Sequence, residues 1–587
     1  MAQEDKLFNR LDTSHIQNIW EILENNVRHF PDNIIGFVKD DGAVHELSYR
    51  NLRDAALKLL GGLKKKGIRS GDKLILALNR NEETLPLLWA CFAGNIIPTI
   101  LQPPVSFSEM NPALEKIINV YKKLDEPFIV VSDETADKWE LRSVPKSKII
   151  KEGSVERIPS GIQTGPFIKT GLAFIQFSSG STGDPKGIML SHKNLLKNID
   201  AISIRFDHIP ADVMVNWMPL YHDMGLIGFH FTIMIQACNQ YHIDPVDFIK
   251  NPFLWLDMLS QKKGTVTGCP NFGQALVIRH LKRKQPDQWD LSPVKVVFNG
   301  AEPISTGIMN EFMNKLAPYG FRKKAMMPVY GLAEATLAVS FSPLNDEPLI
   351  TSFDRFQLQN LYHAEKVREN EKNAIELVSV GNAINHCEYI IADESNKPVS
   401  EAKVGHVLIR GENVTSGYYN DPESTAGIFA GPWLKTGDMG FIFKGNLYIT
   451  GRYKDIIFAG GKNLYAHDLE AIACRMDDIP YGKIVIGGTF DEKKGQDQII
   501  VFLVGTANSN TARIFIRLKQ LMQETLALTL NVFVPVKSNE IPKTSSGKIQ
   551  RYKLIERYLK GEFDEAIQKT RELIKENVKV QDDQNQH

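Results

Sequence analysis

The sequence predicts an α/β fold with a smaller β-rich subdomain and a small α+β domain at its end. Three observations carry that expectation. Strand-like and helix-like apolar runs alternate through the first third of the chain. Several strands then run into polar, glycine-bearing loops, and beyond residue 404 the runs shorten to those of hairpins. With 587 residues the chain exceeds one ordinary core, and length alone suggests about three to four units.

Taken in order, Thr13 or Ser14 can cap a helix whose apolar stripe is Ile16, Ile19, Trp20, Leu23, Val27 and Phe30, with Pro31 after its end. Ser48 precedes a second stripe from Leu52 to Leu63, closed by Gly67. Lys73 to Leu78 reads as a buried strand, Leu85 to Phe92 as a helix, and Ile96 to Leu101 and Phe128 to Val131 as further strands. This alternation predicts layers around a largely parallel sheet.

Between the apolar runs Leu172 to Phe177 and Gly187 to Leu190 lies Ser178-Ser-Gly-Ser-Thr-Gly-Asp-Pro-Lys-Gly187. Glycines let backbone N–H groups face an anion, hydroxyls add donors, and Lys186 adds charge, so the loop is suited to phosphate. It is not a Walker A loop, because Lys186 sits between Pro185 and Gly187 instead of in the Gly-Lys-Ser/Thr that opens a helix. Ser191 caps the next helix, and the strand Val213 to Trp217 runs into a loop, bracketed by Pro219 and Gly225, that carries His222 and Asp223.

The same design recurs at Val296-Val-Phe-Asn-Gly-Ala-Glu-Pro303 and Met327-Pro-Val-Tyr-Gly-Leu-Ala-Glu-Ala-Thr336. Ligands of open α/β sheets collect at the carboxyl ends of strands, so these loops could face one crevice. Tyr330 offers a ring for a base and Glu334 an oxygen ligand for a hard cation. Residues 345–375 turn polar and read as a solvated loop, long enough to be an inserted element. Val404 to Arg410, Phe441 to Phe443 and Leu447 to Ile449 read as strands, the last two joined at Gly445-Asn446. A domain joint fits near Gly451 to Asn463, a second glycine-hydroxyl-lysine loop lies at Pro542 to Lys548, and residues 575–587 read as a disordered tail.

Lys+Arg and Asp+Glu both number 69, so no global charge points to nucleic acid or a membrane surface. The five cysteines are dispersed without ligand or disulfide spacing, and the polar start has no apolar signal core, which predicts a reducing cytoplasm. Gly225 to Cys238, the most apolar stretch, is too short to cross a bilayer.

In this order the segments resemble the adenylate-forming superfamily of acyl-CoA synthetases, peptide-synthetase adenylation domains, luciferases and fatty acyl-AMP ligases, over nearly the whole chain. The motifs that carry the resemblance are Ser178 to Gly187, Tyr330-Gly-Leu-Ala-Glu334, Thr436-Gly-Asp438, Gly451-Arg452 and Pro542 to Lys548. The resemblance implies a large N-terminal domain over 1–453, a hinge at Lys454 and a mobile C-terminal domain over 454–574. It implies ATP and Mg²⁺ as cofactors. Ser178, Ser179, Gly180, Ser181, Thr182, Gly183 and Lys186 would wrap the triphosphate, and Glu334 would bind the metal. Gly300, Ala301, Glu302, Tyr330, Gly331 and Leu332 would hold the adenine end, with Asp438 on the ribose hydroxyls and Arg452 nearby. His222 would stand between acyl entrance and carboxylate, and Lys548 would touch the carboxylate and the α-phosphate.

The pocket helix, Cys269 to Ile278, lacks the aspartate that pairs with an amino-acid ammonium, so Asn271, Phe272 and Gly273 are expected to border an apolar acyl chain. Tyr330 to Thr336, Gly460 to Tyr465 and the 345–375 insertion resemble the fatty acyl-AMP ligase branch, in which the insertion is thought to restrain the small domain. Lys462, Ala466 and His406 depart from the pattern. The implied activity is formation of a medium- or long-chain acyl-adenylate, with the fatty acid then passed to an acyl carrier protein or a synthase carrier domain. The alternatives are a long-chain acyl-CoA synthetase and a catalytically dead nucleotide-binding regulator.

Overall fold

In the computed structural model, the local capping chemistry sets the helix boundaries. The structure describes residues 9–585 apart from 105, 108–110, 140–143, 160–170, 179–184, 287, 370, 372, 460, 492–494 and 544–548. Ser48 accepts from Asn51 N and starts Tyr49–Lys65, and Gly67 follows that helix with φ +92°. Ser191 and Asn194 form a capping box at His192–Arg205. The first helix begins later than its apolar stripe suggested. Asn18 caps Ile19–His29 by accepting from Glu21 N, while Ile16 is buried ahead of the helix.

The expected parallel sheet is present and splits in two. A nine-stranded sheet runs Asn382–Ala383, Ala338–Phe341, Met326–Gly331, Val296–Asn299, Val266–Gly268, Val213–Asn216, Asn239–Ile243, Ile34–Val38 and Val44–Ser48 in spatial order. Its centre is parallel and its outermost pairings are antiparallel. A four-stranded parallel sheet runs Ile97–Ile100, Lys73–Ala77, Phe128–Val131 and Ile149–Lys151. The antiparallel hairpin Leu172–Ser178 with Lys186–Ser191 leans on it, and Thr99 Oγ1 donates to the Ile175 carbonyl at 3.0 Å. Gly225 to Cys238 is an internal helical segment, Met224–Phe231 and Thr232–Met234, buried on every side as an all-round apolar helix must be.

The β-rich part is antiparallel: Cys387–Ala392, Gly405–Gly411, Trp433–Phe443, Phe429–Ala430 and Asn446–Arg452. Its hairpin turns at Lys444 and Gly445, both at positive φ, so the turn sits one residue earlier than Gly445-Asn446, and Asn446 already pairs with Phe443. The 345–375 region is not a solvated loop. Ile350–Asp354 pairs with Ala374–Val378, the helix Arg355–Asn360 follows the first strand, and Phe353 packs on Phe441, Phe443 and Tyr448. Polar residues dilute its pattern, and the core it joins comes from elsewhere in the chain.

The C-terminal sheet, Ile484–Asp491, Gln496–Val504 and Val532–Val536, shows the alternation of a two-sided strand. Ile486, Ile499 and Val501 pack with Phe515 and Leu518, whereas Val485, Ile500 and Phe502 pack with Leu554 and Phe563. Residues 575–585, expected as a disordered tail, continue the helix Asp564–Asn585. Composition missed this because the helix is carried by its earlier turns, where Ile567 is buried.

Candidate active site

A cavity of about 2590 Å³ opens at the carboxyl ends of the parallel strands, where the β-rich and C-terminal parts close over the large sheet. Val213–Asn216 leads to His222, Val266–Gly268 to Asn271 and Phe272, Val296–Asn299 to Ala301 and Glu302, and Met326–Gly331 to Tyr330, Leu332 and Glu334; all these side chains line the cavity. The β-rich sheet adds Asp438 and Arg452, and the C-terminal part adds Tyr481, Lys543 and Arg551.

Within it three groups from three strands meet. Asp438 and Arg452 are cross-strand partners, with Arg452 Nε 3.4 Å from Asp438 Oδ1, and the Tyr330 hydroxyl donates to Asp438 Oδ2 at 2.6 Å. Burial, and then the Asp438 charge, push the Tyr330 phenol well above its ordinary range, and the same carboxylate raises Arg452. This cluster therefore holds a carboxylate, a neutral phenol and a guanidinium.

In a second cluster, Ser178 pairs with Lys186 where the hairpin opens. The Lys186 ammonium lies 4.8 Å from the centre of the Tyr418 ring, and the Tyr418 hydroxyl donates to Glu334 Oε1 at 2.9 Å. The short turn Ala333–Ala335 presents Glu334, whose carbonyl accepts from Thr415 N. Ser179, Gly180, Ser181, Thr182, Gly183 and Lys548 lie outside the described residues.

His222 Nδ1 stands 2.7 Å from Asp223 Oδ1 beside the cavity. Glu302 accepts from Phe272 N and from the Tyr481 hydroxyl, each at 3.2 Å, so it spans to the C-terminal part. Asn271 ties its helix to the next loop, donating to Pro303 O and accepting from Ser305 N. Lys454 lines the cavity in the turn Tyr453–Asp455.

Two expected site residues stand back from the cavity. A Cβ on Gly273 would come within 2.8 Å of Trp217 and Cys269, so this glycine admits the Trp217 ring and leaves no room for an acyl chain. Gly300 is pressed on Val329, and the lining passes to Ala301, held at φ +71°.

Other lining residues escaped the sequence reading: Lys116, Tyr418 and Tyr481. Each lies far in sequence from the motif it touches. The Tyr-Tyr pair after Gly417 was the one local hint, and it resembles ordinary packing.

Residues 23–419 match the model of the AMP-binding enzyme family. The chain belongs to that family. This AMP-binding enzyme is 33% identical over 401 residues to a medium-chain-fatty-acid–[acyl-carrier-protein] ligase of Teredinibacter turnerae, covering 65% of this chain and 62% of that protein. It is 31% identical over 421 residues to a 4-hydroxyphenylalkanoate adenylyltransferase of Mycobacterium tuberculosis, covering 68% of this chain and 67% of the relative. A solved structure among the fatty acyl-adenylate ligases of E. coli and L. pneumophila superimposes with a TM-score of 0.86 at 27% identity, covering 93% of this chain and 99% of that one. The AMP-binding enzyme has a mixed α/β fold of that kind, and among its described residues no helix is long and apolar enough to cross a membrane.

Proposed function

We propose that this adenylate-forming ligase joins a medium- or long-chain fatty acid to AMP, releases pyrophosphate, and passes the acyl group to the phosphopantetheine thiol of an acyl carrier protein. The observation that carries this reading is the polarity of one cavity. A paired carboxylate, phenol and guanidinium and the Lys186 ammonium line it together with the apolar side chains of Ile202, Phe229, Phe298, Leu337 and Phe341.

Asp438 accepts the ribose hydroxyls, with Arg452 beside it, and Tyr330 and Ala301 border the adenine. Ser178 and Lys186 hold the triphosphate. The fatty carboxylate, passing His222, attacks the α-phosphorus; a new P–O bond forms as the bond to pyrophosphate breaks. Two anions must meet, so catalysis is placement plus positive charge, and Lys548 supplies the compact cation at the reacting oxygens. Among the described residues no cluster of three ligating side chains exists, but Mg²⁺ needs only one or two carboxylates beside phosphates and water, and the Glu334 oxygens suit it. When bound there it would spread charge at the reacting phosphate.

Support for a tethered acceptor comes from the inserted element. Arg355 makes a buried, bidentate pair with Asp468, with Nε–Oδ2 at 2.9 Å and Nη2–Oδ1 at 3.2 Å, and Gln359 donates to the same carboxylate. Asn463 donates to the Asn360 side chain, the Gln359 carbonyl and the Tyr362 hydroxyl. These contacts fasten the insertion to the segment just beyond Lys454, as a restraint on rotation requires.

The test supplies ATP and a fatty acid with either coenzyme A or a carrier protein bearing its arm. Thioester on the carrier and little with coenzyme A is expected, whereas rapid acyl-CoA formation would overturn the acceptor assignment. Replacing both members of the latch, Arg355→Ala with Asp468→Ala, avoids a buried unpaired charge and is expected to raise acyl-CoA yield.

A further inference from the structure

The helix Pro112–Lys123 holds both shoulders of the phosphate loop. Lys116 and Lys123 are two turns apart and so share one face. Lys116 Nζ donates to the Phe177 carbonyl at 3.1 Å, just before the loop, and Lys123 Nζ donates to the Pro185 carbonyl at 3.2 Å, just after it. Lys123 also lies 3.7 Å from Asp421.

Lys116 is different. It lines the cavity together with Ser178 and Lys186, and its helix neighbours Leu114, Ile117 and Val120 pack in an apolar cluster with Phe177. Among the described residues no carboxylate pairs with it: Glu115 beside it is exposed, and Asp421 is engaged by Lys123. Lys186, across the hairpin, is a like charge. Half-buried and flanked by that apolar cluster, this ammonium has the Phe177 carbonyl as an acceptor but no counter-charge, which leaves it suited to an arriving anion.

We propose that Lys116 is a second phosphate-binding lysine of the nucleotide site, which contacts the polyphosphate end of ATP alongside Lys186. The assignment rests on the adenylation reading above. Desolvation holds Lys116 down at about 8, so near pH 8 about half the molecules would take a proton from solvent when phosphates arrive. The proton neutralises charge on the product pyrophosphate and is released when it leaves.

Calorimetry of a magnesium complex of a non-hydrolysable ATP analogue, at pH 8 in two buffers of different ionisation heat, reads this directly. The wild-type protein is expected to take up about half a proton per site. Lys116→Met should abolish that uptake and weaken binding at least about tenfold, while melting no earlier than wild type without nucleotide, because it removes a buried charge. Lys116→Arg should keep affinity within a few-fold and still show no uptake, since arginine is always protonated. Unchanged uptake in either variant, or unchanged affinity in Lys116→Met, would overturn the assignment and leave the adenylation reading standing. A wild-type protein that binds no nucleotide would overturn both.

Discussion

The two polar clusters of the cavity follow opposite electrostatic plans. Around Asp438 the charges are paired within the protein: the Tyr330 hydroxyl and Arg452 both face one carboxylate. Around the phosphate loop, Lys116 and Lys186 form no ion pair with a carboxylate among the described residues: Asp421, which feels the Lys186 charge, is engaged by Lys123, and Glu334 accepts from a phenol. A paired cluster can recognise neutral hydroxyls and a base with little rearrangement, whereas a cluster with surplus cations is completed only by an anion. Affinity for the nucleoside and handling of its phosphates should thus be separable by mutation.

The largest expected effect is on the chemical step. Lys548→Ala should lower fatty-acid-dependent exchange of pyrophosphate into ATP by about a hundred- to a thousandfold, with nucleotide affinity by calorimetry nearly unchanged; equal losses in both would break the division. Next comes Asp438→Ala, which strands the phenol and the guanidinium and should cost about 2 kcal/mol of nucleotide binding, read as a rise in the KM for ATP with kcat at saturation largely kept. Tyr330→Phe should show the same pattern at about half that size. If Tyr330→Phe instead lowered kcat without moving KM, the phenol would belong with the reacting groups.

A change in stability, as distinct from activity, is expected of the scaffold around the cavity. Burial lowers His192 and His230 from 6.5 to about 4, and both are fully enclosed. The unfolded chain therefore binds protons first as pH falls, so this stability is present above about 6.5 and drains away toward 4, by at most about 1.4 kcal/mol per histidine per pH unit. Thermal melting at pH 5 should fall below that at pH 7.5, and His230→Gln should flatten the slope.

Those strands and helices that carry their own pattern were readable residue by residue. Ser48 and Ser191 cap as expected, Phe128–Val131 is a strand of the expected length, and the loops after three parallel strands converge on one cavity. The acyl-pocket expectation for Gly273 failed, because a glycine's neighbours cannot be read from its type: here they are Trp217 and Cys269. The insertion misled because its core residues, Phe353 and Leu358, find partners in strands some ninety residues on.

By itself the sequence determined the layered α/β order, the adenylate-forming motifs and the candidate residues within them, because turn chemistry, strand alternation and phosphate-loop composition are local. Only the tertiary structure decided what joins those motifs. Lys116 reaches the phosphate loop across 61 residues and Arg355 reaches Asp468 across 113, and such contacts are fixed by packing of distant apolar faces, not by any nearby residue.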